Sequence, residues 1–250
     1  MLIKSDINWL NRLLPEGFET KESVLISGPG SSGKPLVALG IAYAWLKAGG
    51  SIVNIPLQYP SLTMIKESMK SIYNTDFDDY RGRVAYIRFN PEIDGVEQKN
   101  DSVIEANLIK PGQWNQAIEK AKTMVEKTQL GVLVFASALN LLLFNKKYKC
   151  EVHNAVKQTL ENGLDTSSLF TVANNVFTED IKRWEDAADN LMITNLDDDM
   201  TLSLKVDHMH SVPYLNDWQV IPIEPSKLNK IQVVAQSSRK KNVKAIKNIK

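Results

Sequence analysis

The sequence predicts an α/β fold built on a central, mostly parallel sheet flanked by helices. Strand-like runs alternate with helical ones through most of the chain, as in sheets covered on both faces. One buried-looking strand, Val24-Leu25-Ile26-Ser27, runs through a Gly-rich turn directly into an apolar helix beginning at Leu36. With 43% hydrophobic residues, 250 residues suffice for one large α/β domain.

The expected strands are 24–27, 51–55, 84–89, 132–135, 168–173, 191–195, 201–206 and 219–223. Helical runs lie between them at 35–48, 61–73, 113–127, 150–163 and 178–188. The last strands come close together, which suggests a hairpin-like antiparallel edge. Residues 90–112, polar and punctuated by Pro91, Gly95, Pro111 and Gly112, read as an irregular loop or an insertion.

The turn reads Gly28-Pro29-Gly30-Ser31-Ser32-Gly33-Lys34-Pro35. It fits the phosphate-binding pattern G-x-x-x-x-G-K-[ST] except at its last position, and its strand–loop–helix setting is the one that pattern needs. In such a loop, backbone N–H groups and the positive end of the following helix cradle phosphate. The residue after the Lys supplies a hydroxyl to Mg²⁺. Pro35 has no hydroxyl and no N–H, although the first turn of a helix accepts it. Gly28, Gly30, Ser31, Ser32, Gly33, Lys34 and Pro35 are therefore the candidate cofactor-binding residues, retaining anion binding and losing metal support.

Two further parts of a hydrolytic site are missing. An Asp is expected at the end of a second buried strand to support Mg²⁺, and the strand Val132–Phe135 is followed by Ala136. A water-activating carboxylate is expected after the strand 51–55, where Gln58 stands. Gln58 can orient a water but cannot take its proton. No catalytic residue is assigned, and Gln58 and Ala136 mark the degenerate positions.

Taken with the loop, four further segments resemble the KaiC/RadA branch of the RecA-type ATPases, above all the archaeal single-domain KaiC-like and RadA-paralogue proteins. Residues 3–18 resemble the family's opening helix and Gly turn. Val134-Phe135-Ala136-Ser137-Ala138-Leu139 resembles its second-strand motif, with the Ser kept and the Asp lost. Asp186-Ala187-Ala188-Asp189 resembles its late Ala-Asp motif, and Lys205 and His210 match a Lys-Met-Arg-Gly-x-x-His segment without the Arg-Gly pair. The resemblance implies a RecA-like P-loop NTPase fold from the N-terminus to about residue 225. It also implies relatives that bind ATP and assemble as rings. It does not carry activity across, because the catalytic positions are the ones that differ.

One cysteine, Cys150, excludes a disulfide framework. The N-terminus lacks a signal-peptide core, and no apolar run reaches membrane-spanning length. A cytoplasmic protein without membrane contact is expected. His208, His210 and His153 are too few and too scattered to argue for zinc. Asp197-Asp198-Asp199 lacks the later Gly and Glu of a calcium loop.

The net charge of +1 conceals an asymmetry. Residues 239–250 hold six basic residues and no acid, which leaves 24 basic against 29 acidic residues in the rest of the chain, a body of −5. The domain is expected to span 1–236, with 237–250 a flexible basic tail. Arg239, Lys240, Lys241 and Lys244 are the candidate nucleic-acid contacts. Val243, Ala245, Ile246 and Ile249 also fall partly at helical spacing, which would let the tail dock on a subunit.

These observations point to a catalytically degenerate RecA/KaiC-like protein, a regulatory or scaffolding paralogue in recombination, repair or signalling. Weakly bound ATP or ADP is its expected ligand, and a protein partner or self-association is expected. One alternative is a slow ATPase drawing a carboxylate from Glu92, Asp94 or Glu97. Another is a DNA-binding protein that uses the basic tail.

Overall fold

A computed structural model describes residues 1–59, 61–162 and 167–249. The chain opens with β1 (Leu2–Ile3), α1 (Asn8–Leu13) and β2 (Phe18–Glu19), the two strands pairing antiparallel as a small flap. Next come β3 (Ser23–Ser27), α2 (Lys34–Lys47), β4 (Ser51–Pro56), α3 (Leu62–Tyr73) and β5 (Val84–Phe89). The segment expected to be irregular contains two strands, β6 (Val96–Gln98) and β7 (Val103–Ala106). They form an edge hairpin, which their short length and polar surroundings had hidden. The chain continues through α4 (Gln113–Lys122), β8 (Val132–Ser137), α5 (Lys149–Asn162), β9 (Ser167–Thr171), α6 (Thr178–Ala187), β10 (Asn190–Leu196), β11 (Leu202–His208) and β12 (Gln219–Val220). It ends in α7 (Pro225–Lys247).

The ten-stranded sheet has the order β12-β11-β10-β3-β9-β8-β4-β5-β7-β6. The seven strands from β10 to β7 run parallel. The antiparallel pairs are confined to the two edges. Every residue of β3 and β4 is buried. Such strands feed both faces: Val24 and Ile26 enter one apolar core and Leu25 the other. The first core lies under α1, α2 and α3, and the second under α4, α5 and α6.

Parallel sheets with right-handed crossovers place ligands at the carboxyl ends of their strands. Here β3, β4, β8 and β9 end together, and the turns after them form one crevice. Apart from β6 and β7, the fold so far accords with the sequence. The C-terminus does not: residues 237–247 continue the helix that starts at Pro225, so the boundary expected at 236/237 falls in mid-helix. That helix lies across the crevice. Among the described residues, no helix is long and apolar enough to cross a membrane.

Candidate functional site

The loop from β3 to α2 has two glycines that its shape requires. Gly28 has φ +153, and a Cβ there would stand 2.5 Å from the Thr194 carbonyl oxygen. Gly33, the N-cap of α2, is left-handed at φ +67. Ser31 is also left-handed at φ +67, a conformation that L-residues other than Gly adopt at a cost of about 1–2 kcal/mol. Pro35 sits within the first turn of α2, where it removes no helical hydrogen bond. Gly30 is under no such constraint.

Lys34 is buried, with 5% of its surface exposed. Its ammonium folds back onto the loop and donates to Gly28 O (3.1 Å), Pro29 O (2.5 Å) and Ser32 Oγ (3.0 Å). An ammonium has three protons, so three internal acceptors account for its capacity. Ser32 Oγ also pairs with Thr194 Oγ1 at 2.7 Å. The Gly30 N–H donates to Asn175 Oδ1, and the Ser32 N–H to Pro29 O. The loop is thus folded in on itself. Burial lowers the Lys34 pKa to about 7, and the Arg239 guanidinium adds to that shift.

The pocket beside Lys34 encloses about 80 Å³. On the sheet side it is lined by the loop, Gln58, Ala138, Asn140, Thr171 and Ala173. Thr171 Oγ1 accepts from the Ala138 N–H, and Asn140 Oδ1 accepts from the Ala173 N–H, tying the turn after β8 to the end of β9. The opposite wall is α7, through Leu228, Ile231, Gln232, Ala235, Gln236 and Arg239. Among the lining residues, Lys34 and Arg239 are the ionisable ones, and none is Asp or Glu.

The structure brings Gly30, Ser31, Ser32, Gly33, Lys34, Pro35 and Gln58 to one pocket. Ala136 is fully buried between Ile55 of β4 and Phe170 of β9, and the turn reaches the pocket two residues later at Ala138. Glu92, Asp94 and Glu97, considered above as substitute carboxylates, are not among the lining residues. Glu97 instead pairs with Lys99 and Asp94 with Lys110, on the β6–β7 side of the molecule. Arg239 turns into the pocket, whereas Lys240, Lys241 and Lys244 stay exposed on the outer side of α7. His208 meets Ala188 O and Asp207, and no three metal-ligating side chains converge among the described residues.

The wall made by α7 escaped the sequence reading, although its signal was present. Leu228, Ile231, Ala235, Asn242 and Ile246 recur at spacings of three, four or their sum, behind a helix-starting Pro225. The lysine-rich composition of the segment masked that stripe.

A strand–loop–helix crevice on a seven-strand parallel core, with antiparallel edges, defines a protein of the RecA-type ATPase fold. The fold is that of archaeal KaiC-like proteins. A KaiC-like protein of the hyperthermophilic archaeon Pyrococcus horikoshii superposes with a TM-score of 0.66 at 16% identity, over 90% of this chain and 96% of that one. The flagellar accessory protein FlaH of Methanocaldococcus jannaschii superposes with a TM-score of 0.64 at 16% identity, with the same coverage. No family model matches the sequence, and no curated protein matches it.

Proposed function

We propose that this chain is a RecA/KaiC-like paralogue that binds a nucleotide weakly, does not hydrolyse it, and acts as a regulatory or scaffolding subunit. The observation that supports this reading is the absence of any carboxylate among the residues lining the loop pocket. Phosphoryl transfer in this fold depends on a metal held by a hydroxyl and an acid, and on a group that positions the attacking water. Here Pro35 replaces the hydroxyl, Ala136 replaces the acid and Gln58 stands where the base belongs. Mg²⁺ in phosphoryl-transfer sites is usually held through one or two carboxylates besides the substrate phosphates, and the residues lining this pocket offer hydroxyls, amides and two basic groups but no carboxylate. Phosphate suits the lining better, because Arg239 and, when protonated and released from the loop, Lys34 are its ionisable groups, with no acid beside them.

Calorimetry with ATP and ADP, with and without Mg²⁺, tests the reading beside Lys34→Ala and a phosphate-release assay. The expected result is weak binding that needs Lys34, ignores Mg²⁺ and releases no phosphate. Lys34-dependent turnover would overturn it.

A further inference from the structure

Helix α7 closes the phosphate loop from above with side chains of this same chain. Gln232 Nε2 donates to Ser31 O at 2.6 Å, and Gln236 Nε2 reaches Ser31 Oγ at 3.5 Å. The Arg239 guanidinium covers Gly30 closely enough that a Cβ there would lie 3.5 Å from its nitrogen. The space left, about 80 Å³, is well below the roughly 300 Å³ at which small-molecule sites begin. With α7 seated, the space beside the loop is smaller than a nucleotide site needs.

The helix is held unevenly. Its C-terminal end is pinned: Ile246 is buried, and Asn145 Nδ2 donates to the carbonyls of Ile246 and Ile249, both at 2.9 Å. The Ile246 carbonyl also accepts from the Ile249 N–H at 3.3 Å, so the end of the helix is closed by both backbone and side chain. Asn242 adds a bond to Leu57 O at 2.6 Å. Over the loop the attachment is thinner. Of the residues from 225 to 241, only Leu228 and Ser238 are buried, and Val233 and Val234 face solvent. The contacts to the loop itself are polar, and such bonds contribute little net because water offers the same partners. The Arg239 guanidinium also disfavours the protonated form of Lys34, with no acid among the lining residues to offset it.

We propose that α7 is a displaceable lid: seated, it blocks the phosphate loop, and the loop accepts a phosphate-bearing ligand only when α7 lifts. The identity of that ligand rests on the nucleotide reading above; the lid does not. Ligand binding and lid closure are then mutually exclusive, and the apparent affinity is reduced by the fraction of molecules that are open. By reciprocity, anything that captures the lifted helix raises affinity at the loop.

The test uses the full chain and the double variant Gln232→Ala/Gln236→Ala, which keeps Arg239 and helix propensity. Mg²⁺-free ATP binding and amide hydrogen exchange across 228–239 are measured on both proteins. The expected result is that ATP speeds exchange in 228–239 of the unmodified protein, and that the double variant binds ATP about tenfold more tightly. Slower exchange with ATP would mean that the helix clamps the ligand, and would overturn the lid. Unchanged affinity in the variant would do the same. If neither protein binds ATP, the nucleotide reading falls and exchange alone decides. Exchange at 228–239 that is about tenfold faster in the variant keeps the lid, and equal exchange removes it.

Discussion

Two helices meet at the phosphate loop, and they are built on opposite principles. Helix α2 leaves the loop with 12 of its 14 residues buried, packed between the sheet and α3. Helix α7 returns to the same loop with three buried residues out of 23. The first belongs to the scaffold and cannot move without unfolding the domain. The second is an amphipathic strip that reaches the two apolar cores only through Leu228 and Ile246, with Ile231 and Ala235 half-buried between them. Stability is distributed unevenly in proteins, and segments with thin apolar contact open first. The contrast identifies which wall of the pocket is fixed and which is negotiable.

The largest effect should separate the two helices directly. Trp45→Ala in α2 empties a fully packed site and should cost about 4 kcal/mol in denaturant unfolding. Leu228→Ala in α7 removes an equally buried side chain. Its effect on global unfolding should stay near about 1 kcal/mol, because α7 can detach before the domain unfolds. Equal losses would erase the distinction.

The loop's glycines sharpen the same comparison. Gly28→Ala forces a methyl against the Thr194 carbonyl and should cost about 3 kcal/mol. Next in size is the α7 anchor. Asn145→Asp keeps an acceptor for the N–H groups of Lys147 and Tyr148 but sets a carboxylate against the carbonyls of Ile246 and Ile249. Hydrogen exchange at 240–249 should quicken about tenfold, a loss of about 1.4 kcal/mol in local stability, with α2 amides unaffected.

A smaller effect is expected from pH. The folded pKa of Lys34, about 7, lies below its unfolded value. Above pH 7 the unfolded chain therefore holds a proton that the folded chain has shed, and stability rises with pH. Between pH 7 and 8 the gain relative to Lys34→Met should approach about 1 kcal/mol, read from parallel denaturant titrations. A flat difference would mean that Lys34 is not sequestered. The smallest effect should come from Gly30→Ala, within about 0.5 kcal/mol, since nothing nearer than Arg239 at 3.5 Å opposes the added methyl.

Much of this molecule was legible before any coordinates. Apart from β6 and β7, the strand and helix runs from 24 to 206 fall close to where β3 through β11 and α2 through α6 form, because buried parallel strands and two-sided helices write continuous apolar runs. The loop and its missing hydroxyl were equally plain, since backbone glycines and a Lys at fixed spacing are local properties. Strand β6 was missed because a three-residue, half-solvated edge strand has little to distinguish it from loop, and β7 because its four residues, although buried, are too short a run among polar neighbours to show a period.

The residues alone gave grounds for a mostly parallel α/β sheet and for a Gly-rich loop between β3 and α2, which the structure has. Tertiary structure alone decided that Ala138, Asn140 and Thr171 line the pocket, that Lys34 turns inward, and that Arg239 faces it from α7. The physical reason is distance along the chain. Arg239 stands some two hundred residues from Lys34, and a surface stripe on a basic helix does not state which surface it will cover. Only the finished sheet, with its crevice at the carboxyl ends of β3, β4, β8 and β9, supplied that surface.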